Sequence, residues 1–233
     1  MKARFTLLLF FCSLLSMAQL KVLHYSETSG FDHQTRVNSL TMFQQFSNSA
    51  NFTVVDDVNG SEFDTLTELL QFDLIVFSNT SGDAILDSTQ RSNFEQYIGN
   101  GGALLGIHAA TDTYRHSTAN GNRTGTWDFY AETIGGSVQE NPNHVAGTPN
   151  YDISSIPNNS ILNGIPNPWP KNEEYYYWES GYLNPNNQVL LEVEQTVGPN
   201  GQVNSYDSSR AVAWYKVTSN NARIFYTSLG HSN

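Results

Sequence analysis

Cysteine is nearly missing. The single cysteine of the 233-residue chain, Cys12, lies in the apolar N-terminal stretch. A chain beginning after that stretch has no disulfide, no thiolate nucleophile and no cysteine-ligated metal. Positive charge is also scarce: 11 Lys and Arg stand against 22 Asp and Glu, a formal net charge of −11. Nucleic acid and anionic membrane surfaces call for a basic patch, which this balance does not provide. The acidic residues are spread along the chain rather than gathered in a tail. No internal repeat, linker or low-complexity tract is visible, so one domain is the simplest organisation. Compact metal-ligand spacings of the HxH or HExxH kind are absent. Gly99-Asn100-Gly101-Gly102 precedes a strand instead of following one, which makes it a turn and not a phosphate cradle.

Lys2 and Arg4 introduce the apolar run Phe5 to Leu15, and Ser16-Met17-Ala18 offers a small-x-small cleavage pattern. The run is shorter than the ~18 apolar residues a transmembrane helix requires. A signal peptide over residues 1–18 is expected, with Gln19 as the new terminus. The protein is then exported to the periplasm or beyond, free of the membrane after cleavage. Residues 19–233 are long enough to bury one sizeable core. The abundance of Asn, Gly, Ser and Thr, with 12 Tyr and 4 Trp, suits a polar, sugar-like small molecule. A homo-oligomer is compatible with all of this.

Short apolar runs alternate with helical patterns through the first half. Leu20 to Tyr25, Asn51 to Val55, Phe72 to Phe77 and Ala103 to Ile107 read as strands. Val37, Leu40, Phe43 and Phe46 fall near helical spacing, and Asp87-Ser88-Thr89-Gln90 forms a capping box ahead of a helix to about Ile98. The alternation predicts an α/β fold with a parallel, doubly wound sheet, whose ligands bind beyond the carboxyl ends of the strands. After Asp112 come a helix from Trp127 to Ile134 and then strands at His144 to Ile153, Glu174 to Trp178 and Gln188 to Glu194. The last two, Ala211 to Val217 and Arg223 to Leu229, pair antiparallel around Thr218 to Asn221.

Gly101 to Asp112, GGALLGIHAATD, has the form of a nucleophile elbow with His108 at the apex and Gly106, Ala109 and Ala110 as small neighbours. A histidine there serves as a general base, a metal ligand or a donor to an anionic oxygen. His33 follows the first strand and His231 follows the last, so three histidines are expected at strand ends. His24 lies within a strand and reads as a satisfied core residue. His116 and His144 sit in polar loops where exposure is the default. Asp112 is either a helix cap or a contact for a ligand hydroxyl. Alternation places at most one of Glu173 and Glu174 in any one site.

These motifs carry a family resemblance. GFDH (Gly30 to His33), the elbow, DFYAETIGG (Asp128 to Gly136), NEEYYYW (Asn172 to Trp178) and RIFYTSLGHS (Arg223 to Ser232) resemble, in order and spacing, the ThuA-like (trehalose utilisation) family of the class I glutamine-amidotransferase-like superfamily. The resemblance implies a flavodoxin-like, mostly parallel sheet with additional C-terminal strands. It implies a role in carbohydrate utilisation, with keto-sugar intermediates. Amidotransferases carry Gly-x-Cys-x-Gly at the elbow, and the run Gly106 to Ala110 has His108 in place of the cysteine, which removes glutaminase and cysteine-peptidase chemistry. Family members usually continue into a further helix, so the chain looks cut at its C-terminal end. The carry-over places the reaction at His108, His33, His231 and Glu173 or Glu174, with His144 as a weaker addition; Asp112, Tyr175 and Trp178 are expected as sugar contacts. A divalent metal is compatible with the site, its candidate ligands being His33, His108, His144 and His231. The expected function is an exported enzyme acting on a disaccharide or keto-glycoside, as hydrolase or lyase. The alternative is a non-catalytic amidotransferase-like structural or sugar-binding module of a larger carbohydrate-active protein.

Overall fold

The alternation in the first half becomes a parallel sheet. The computed structural model describes residues 19–119, 125–157 and 159–231; the expected signal peptide, residues 1–18, lies outside the described residues. β1 (Leu20–Tyr25) leads through α1 (Arg36–Ala50) to β2 (Phe52–Asp57). A 3-10 turn at Ser61–Phe63 and α2 (Leu66–Leu69) then lead to β3 (Leu74–Ser78). α3 (Ser88–Gly99) precedes β4 (Ala103–Ile107), and α4 (Asp128–Ile134) leads into β5 (Gly136–Val138). The second half supplies β6 (Asn150–Ser155), β7 (Trp169–Asn172), β8 (Trp178–Leu183), β9 (Gln188–Val193), β10 (Arg210–Val217) and β11 (Arg223–Thr227).

Among the described residues, nine strands form one sheet in the order β2-β1-β3-β4-β11-β10-β9-β6-β7. The pairs from β2 to β11 are parallel, because helical or long crossovers return the chain each time. The pairs from β11 to β7 are antiparallel. β5 and β8 pair separately. Registers Tyr25↔Phe77, Ser78↔Ile107 and Thr227↔Ile107 bring the carboxyl ends of β1, β3, β4 and β11 to one edge. The residues after those ends are therefore neighbours, which is where this class of sheet binds ligands.

Two packed clusters hold the sheet. One gathers Phe77, Phe94, Tyr130, Trp178, Trp214 and Tyr226; the other Ile153, Tyr175, Tyr177, Leu190, Val193 and Val212. Trp214 is fully buried and its indole N–H donates to the Ile134 carbonyl, joining β10 to α4. The capping box at α3 is present: Asp87 Oδ1 accepts from the Thr89 and Gln90 amides at 2.7 and 2.8 Å, and Gln90 Oε1 accepts from Asp87 N. Asp87→Ala removes the one acceptor that serves two amides at the helix start and is expected to lower stability by about 1 kcal/mol, read from urea unfolding.

Several expectations are corrected. Glu174 to Tyr177 is extended but is no sheet strand, and β8 begins only at Trp178; the backbone bonds of the segment go to the loop before it, as in Tyr177 N to Asn143 O and Val145 N to Tyr175 O. Of His144 to Ile153 only the end, from Asn150, is a strand, and His144 makes a lone bridge to Tyr176. The elbow leads into a 3-10 turn, His108–Asp112, rather than an α-helix. α1 forms, but none of its residues is buried, and Val37 and Phe46 stay exposed.

His24 is the satisfied core residue its strand position suggests. Fully buried, it places Nδ1 3.0 Å from Asp56 Oδ1 and Nε2 3.0 Å from Ser39 Oγ. Burial lowers its pKa, with the Asp56 contact pulling the other way. The folded chain thus resists protonation at a ring that the unfolded chain protonates near 6.5. Its contribution to stability is fully present above that value and is lost as pH falls below it. In guanidinium unfolding at pH about 7.5 and about 5.5, His24→Asn should show a smaller loss of stability between the two than the wild type.

Candidate functional site

His33, His108, Glu174 and His231 reach one point from four separate segments. His33 comes from the loop after β1, which is tied to the end of β3. The Ser29 and Gly30 amides donate to Ser81 O, and Ser81 Oγ donates to Phe31 O at 2.6 Å. His108 directly follows β4 with φ +47°, a left-handed conformation that is uncommon for a residue with a Cβ and often marks a functional position. Two positions earlier the strand is closely covered: a Cβ at Gly106 would lie 2.5 Å from Ile134 Cδ1 and 3.0 Å from the Tyr226 ring.

The His108 ring and the backbone that carries His231 are held from behind. His108 Nδ1 lies 2.6 Å from Ser228 O, and the ring stacks on Tyr176 at 4.7 Å between centroids. A carbonyl only accepts, so Nδ1 carries the proton, and in the neutral ring Nε2 presents a lone pair. Glu173 accepts from the Gly230 and His231 backbone N–H groups at 2.9 and 3.0 Å, pinning the last segment. Ring centroids are 4.7 Å apart for His33 and His108, 5.1 Å for His33 and His231, and 5.4 Å for His108 and His231.

Glu174 stands at the centre. Its Oε2 is 3.1 Å from His108 Nε2, 3.4 Å from His231 Nδ1 and 3.6 Å from His33 Nε2, and its Oε1 is 3.2 Å from His144 Nε2. Burial opposes its ionisation, but the close contacts with His108 and His33 and the charge of His144 hold it well below the usual carboxylate range. Burial pushes the His108 pKa down, with Glu174 and Ser228 opposing. His108 is completely enclosed, whereas His231 and His144 are 24% and 30% exposed, so solvent reaches the cluster on their side.

The expected residues divide clearly. Of the two glutamates Glu174 enters the cluster and Glu173 supports it from behind, as alternation requires. His144, whose default reading was an exposed loop residue, is drawn onto Glu174 by the bridge to Tyr176. Asp112 lies beside the cluster, paired with Arg115 at 3.5 Å, and burial raises its pKa. It lines a cavity of about 230 Å³ with Gly30 and Gly82. Tyr175 and Trp178 do not reach the cluster. Tyr175 is buried and donates to Lys171 O, and Trp178 is buried and donates to Ala211 O. The residue that was missed is Tyr176, whose hydroxyl lies 3.1 Å from His108 Nε2. Its signal was available, since Tyr176 shares a face with Glu174 two positions earlier. As possible metal ligands, His33, His108, Glu174 and His231 each offer one atom within 4.8 Å of the others.

Solved structures share this fold at low identity. A ThuA-like protein from Bacteroides uniformis is 22% identical, with TM-score 0.70 over 91% of this chain and 82% of its own. A ThuA-like protein from Parabacteroides merdae is 16% identical, with TM-score 0.63 over 93% and 81%. A cytoplasmic protein from Salmonella typhimurium is 17% identical, with TM-score 0.59 over 89% and 87%. No curated protein matches the sequence. A model of the ThuA family, described as trehalose utilisation, matches residues 21–233. The description points to a carbohydrate-related role. The chain belongs to the ThuA family.

Proposed function

We propose that this chain is an exported carbohydrate-active enzyme that acts on a disaccharide or keto-glycoside at the cluster around Glu174, on an amidotransferase-like frame that lacks the cysteine. The observation that carries the reading is the convergence of His33, His108, His231 and Glu174 at the carboxyl edge of the sheet, open to solvent on one side. Taking a proton from the carbon next to a keto group leaves negative charge on the carbonyl oxygen. A preorganised polar centre stabilises that charge, and an imidazole or carboxylate takes up the proton. His108 acts as base or as ligand. The tautomer fixed by Ser228 leaves Nε2 as its working atom in either role. Tyr176 positions that nitrogen through its hydroxyl and its stacked ring.

The test is turnover of trehalose and of its 3-keto derivative by the purified chain. Consumption of the keto-glycoside is expected, with a loss of at least about 100-fold in His108→Ala. Unchanged turnover in a folded variant removes His108 from the reaction. Sugar affinity without product leaves the binding-module alternative. Export is tested separately, by sequencing the N-terminus of the protein recovered outside the cytoplasm, which should begin at Gln19.

A further inference from the structure

Three imidazole nitrogens and a carboxylate meet in a space the size of a coordination shell. From Glu174 Oε2 the separations are 3.1, 3.4 and 3.6 Å to His108, His231 and His33. Adjacent ligands held about 2.0–2.1 Å from a tetrahedral ion sit roughly 3.3 Å apart. The three separations from Glu174 are close to that spacing, and the four ligand atoms all lie within 4.8 Å of one another.

The hydrogen-bond accounting points the same way. His231 Nδ1 is buried and has no hydrogen-bond partner, although it faces the carboxylate. His33 faces the same oxygen through Nε2. His108 turns the lone pair of Nε2 toward a carboxylate oxygen, and one hydroxyl, that of Tyr176, lies between the possible acceptors. Lone pairs and a negative oxygen converging in a largely enclosed space repel unless a positive charge lies among them. The supports are those expected behind metal ligands. A backbone carbonyl fixes His108 at the far nitrogen, and a buried carboxylate, Glu173, fixes the backbone that carries His231.

We propose that His33, His108, His231 and Glu174 bind one divalent first-row transition ion of the manganese-to-zinc group, an assignment that rests on the reading of this cluster as the reactive centre. Magnesium and calcium take oxygen ligands, and a donor set with three nitrogens disfavours them. His144 meets the other carboxylate oxygen from the solvent side and stays outside the shell. When bound, such an ion supplies a Lewis acid for a carbonyl or hydroxyl oxygen of the sugar. Glu174 and the three rings hold it, and the exposed side between His231 and His144 admits the substrate.

The test uses the full chain stripped with a chelator and titrated calorimetrically with Zn²⁺, Mn²⁺, Co²⁺ and Mg²⁺ alone. One transition ion per chain is expected, with visible d–d absorption from Co²⁺ and no comparable uptake of Mg²⁺. His231→Ala, at the most exposed of the four ligands after folding, should weaken Zn²⁺ binding at least about 100-fold. His33→Ala serves in its place if circular dichroism shows the first variant unfolded, and His116→Ala should bind like the wild type. A wild-type chain that takes up none of the three transition ions overturns the assignment, as do ligand variants that bind normally. Those outcomes leave the turnover assay standing. A chain that binds the ion and turns over no sugar keeps the metal site and removes the functional reading.

Discussion

Glu174→Gln is expected to lower sugar turnover at least about 1,000-fold while leaving the fold in place. The substitution keeps the shape of the side chain and removes its charge. That charge faces nitrogens of four histidines, His33, His108, His144 and His231, at 3.1 to 3.6 Å. A neutral amide also places an NH2 group where a carboxylate oxygen stood, so the histidines lose both the attraction and the geometry it enforces. Stability should change little, because the side chain lies in the cluster and outside both apolar cores. Steady-state kinetics with circular dichroism as the folding control decides the matter. Near wild-type turnover in the folded variant would take Glu174 out of the chemistry.

The second large effect comes from a position that touches no ring. Gly82 has φ +86°, and a Cβ there would lie 2.4 Å from Ser29 Oγ and 2.5 Å from Gly30 N. The second contact is backbone, so it cannot be relieved by a rotamer change. Gly82 N donates to Asp112 O and Gly82 O accepts from Tyr114 N, while the neighbouring Ser81 carries the loop of His33. Gly82→Ala is expected to cost roughly 2–4 kcal/mol, from backbone strain plus overpacking. By shifting the His33 loop it should also reduce turnover about 100-fold, the usual effect of displacing a reacting group by about 1 Å. Gly201→Ala is the control, with φ +74° but nothing within 4 Å. It should lose only the strain and keep full turnover. Urea unfolding and kinetics on both variants separate clash from strain.

The parts legible in the sequence are those set by local pattern. β1 and β4 are found to the residue because apolar runs bounded by turn residues leave no other reading. The capping box at Asp87 is likewise local. The gathering of His33, His108 and His231 follows from topology, since each comes just after a strand that the parallel order brings to one edge. The mis-assigned pieces depend on tertiary contacts. In NEEYYYW the alternation is real: Tyr176 and Trp178 enter one core and Tyr175 and Tyr177 the other. Which face meets the histidines was decided by Glu174, and that parity selects Tyr176 over Tyr175. Trp178 has the right parity but lies a pair of residues too far along, buried beside Trp214. His144 joined the cluster through a single backbone bridge to Tyr176 that no local pattern encodes.

A crystal structure of the full chain soaked with a keto-disaccharide tests the central claim most directly. The sugar should lie on the exposed side between His231 and His144, with an oxygen within hydrogen-bond reach of Glu174 or His108. A sugar seated instead in the cavity of about 510 Å³ lined by Trp178, Glu192 and Arg210, with nothing at the histidines, would contradict the account.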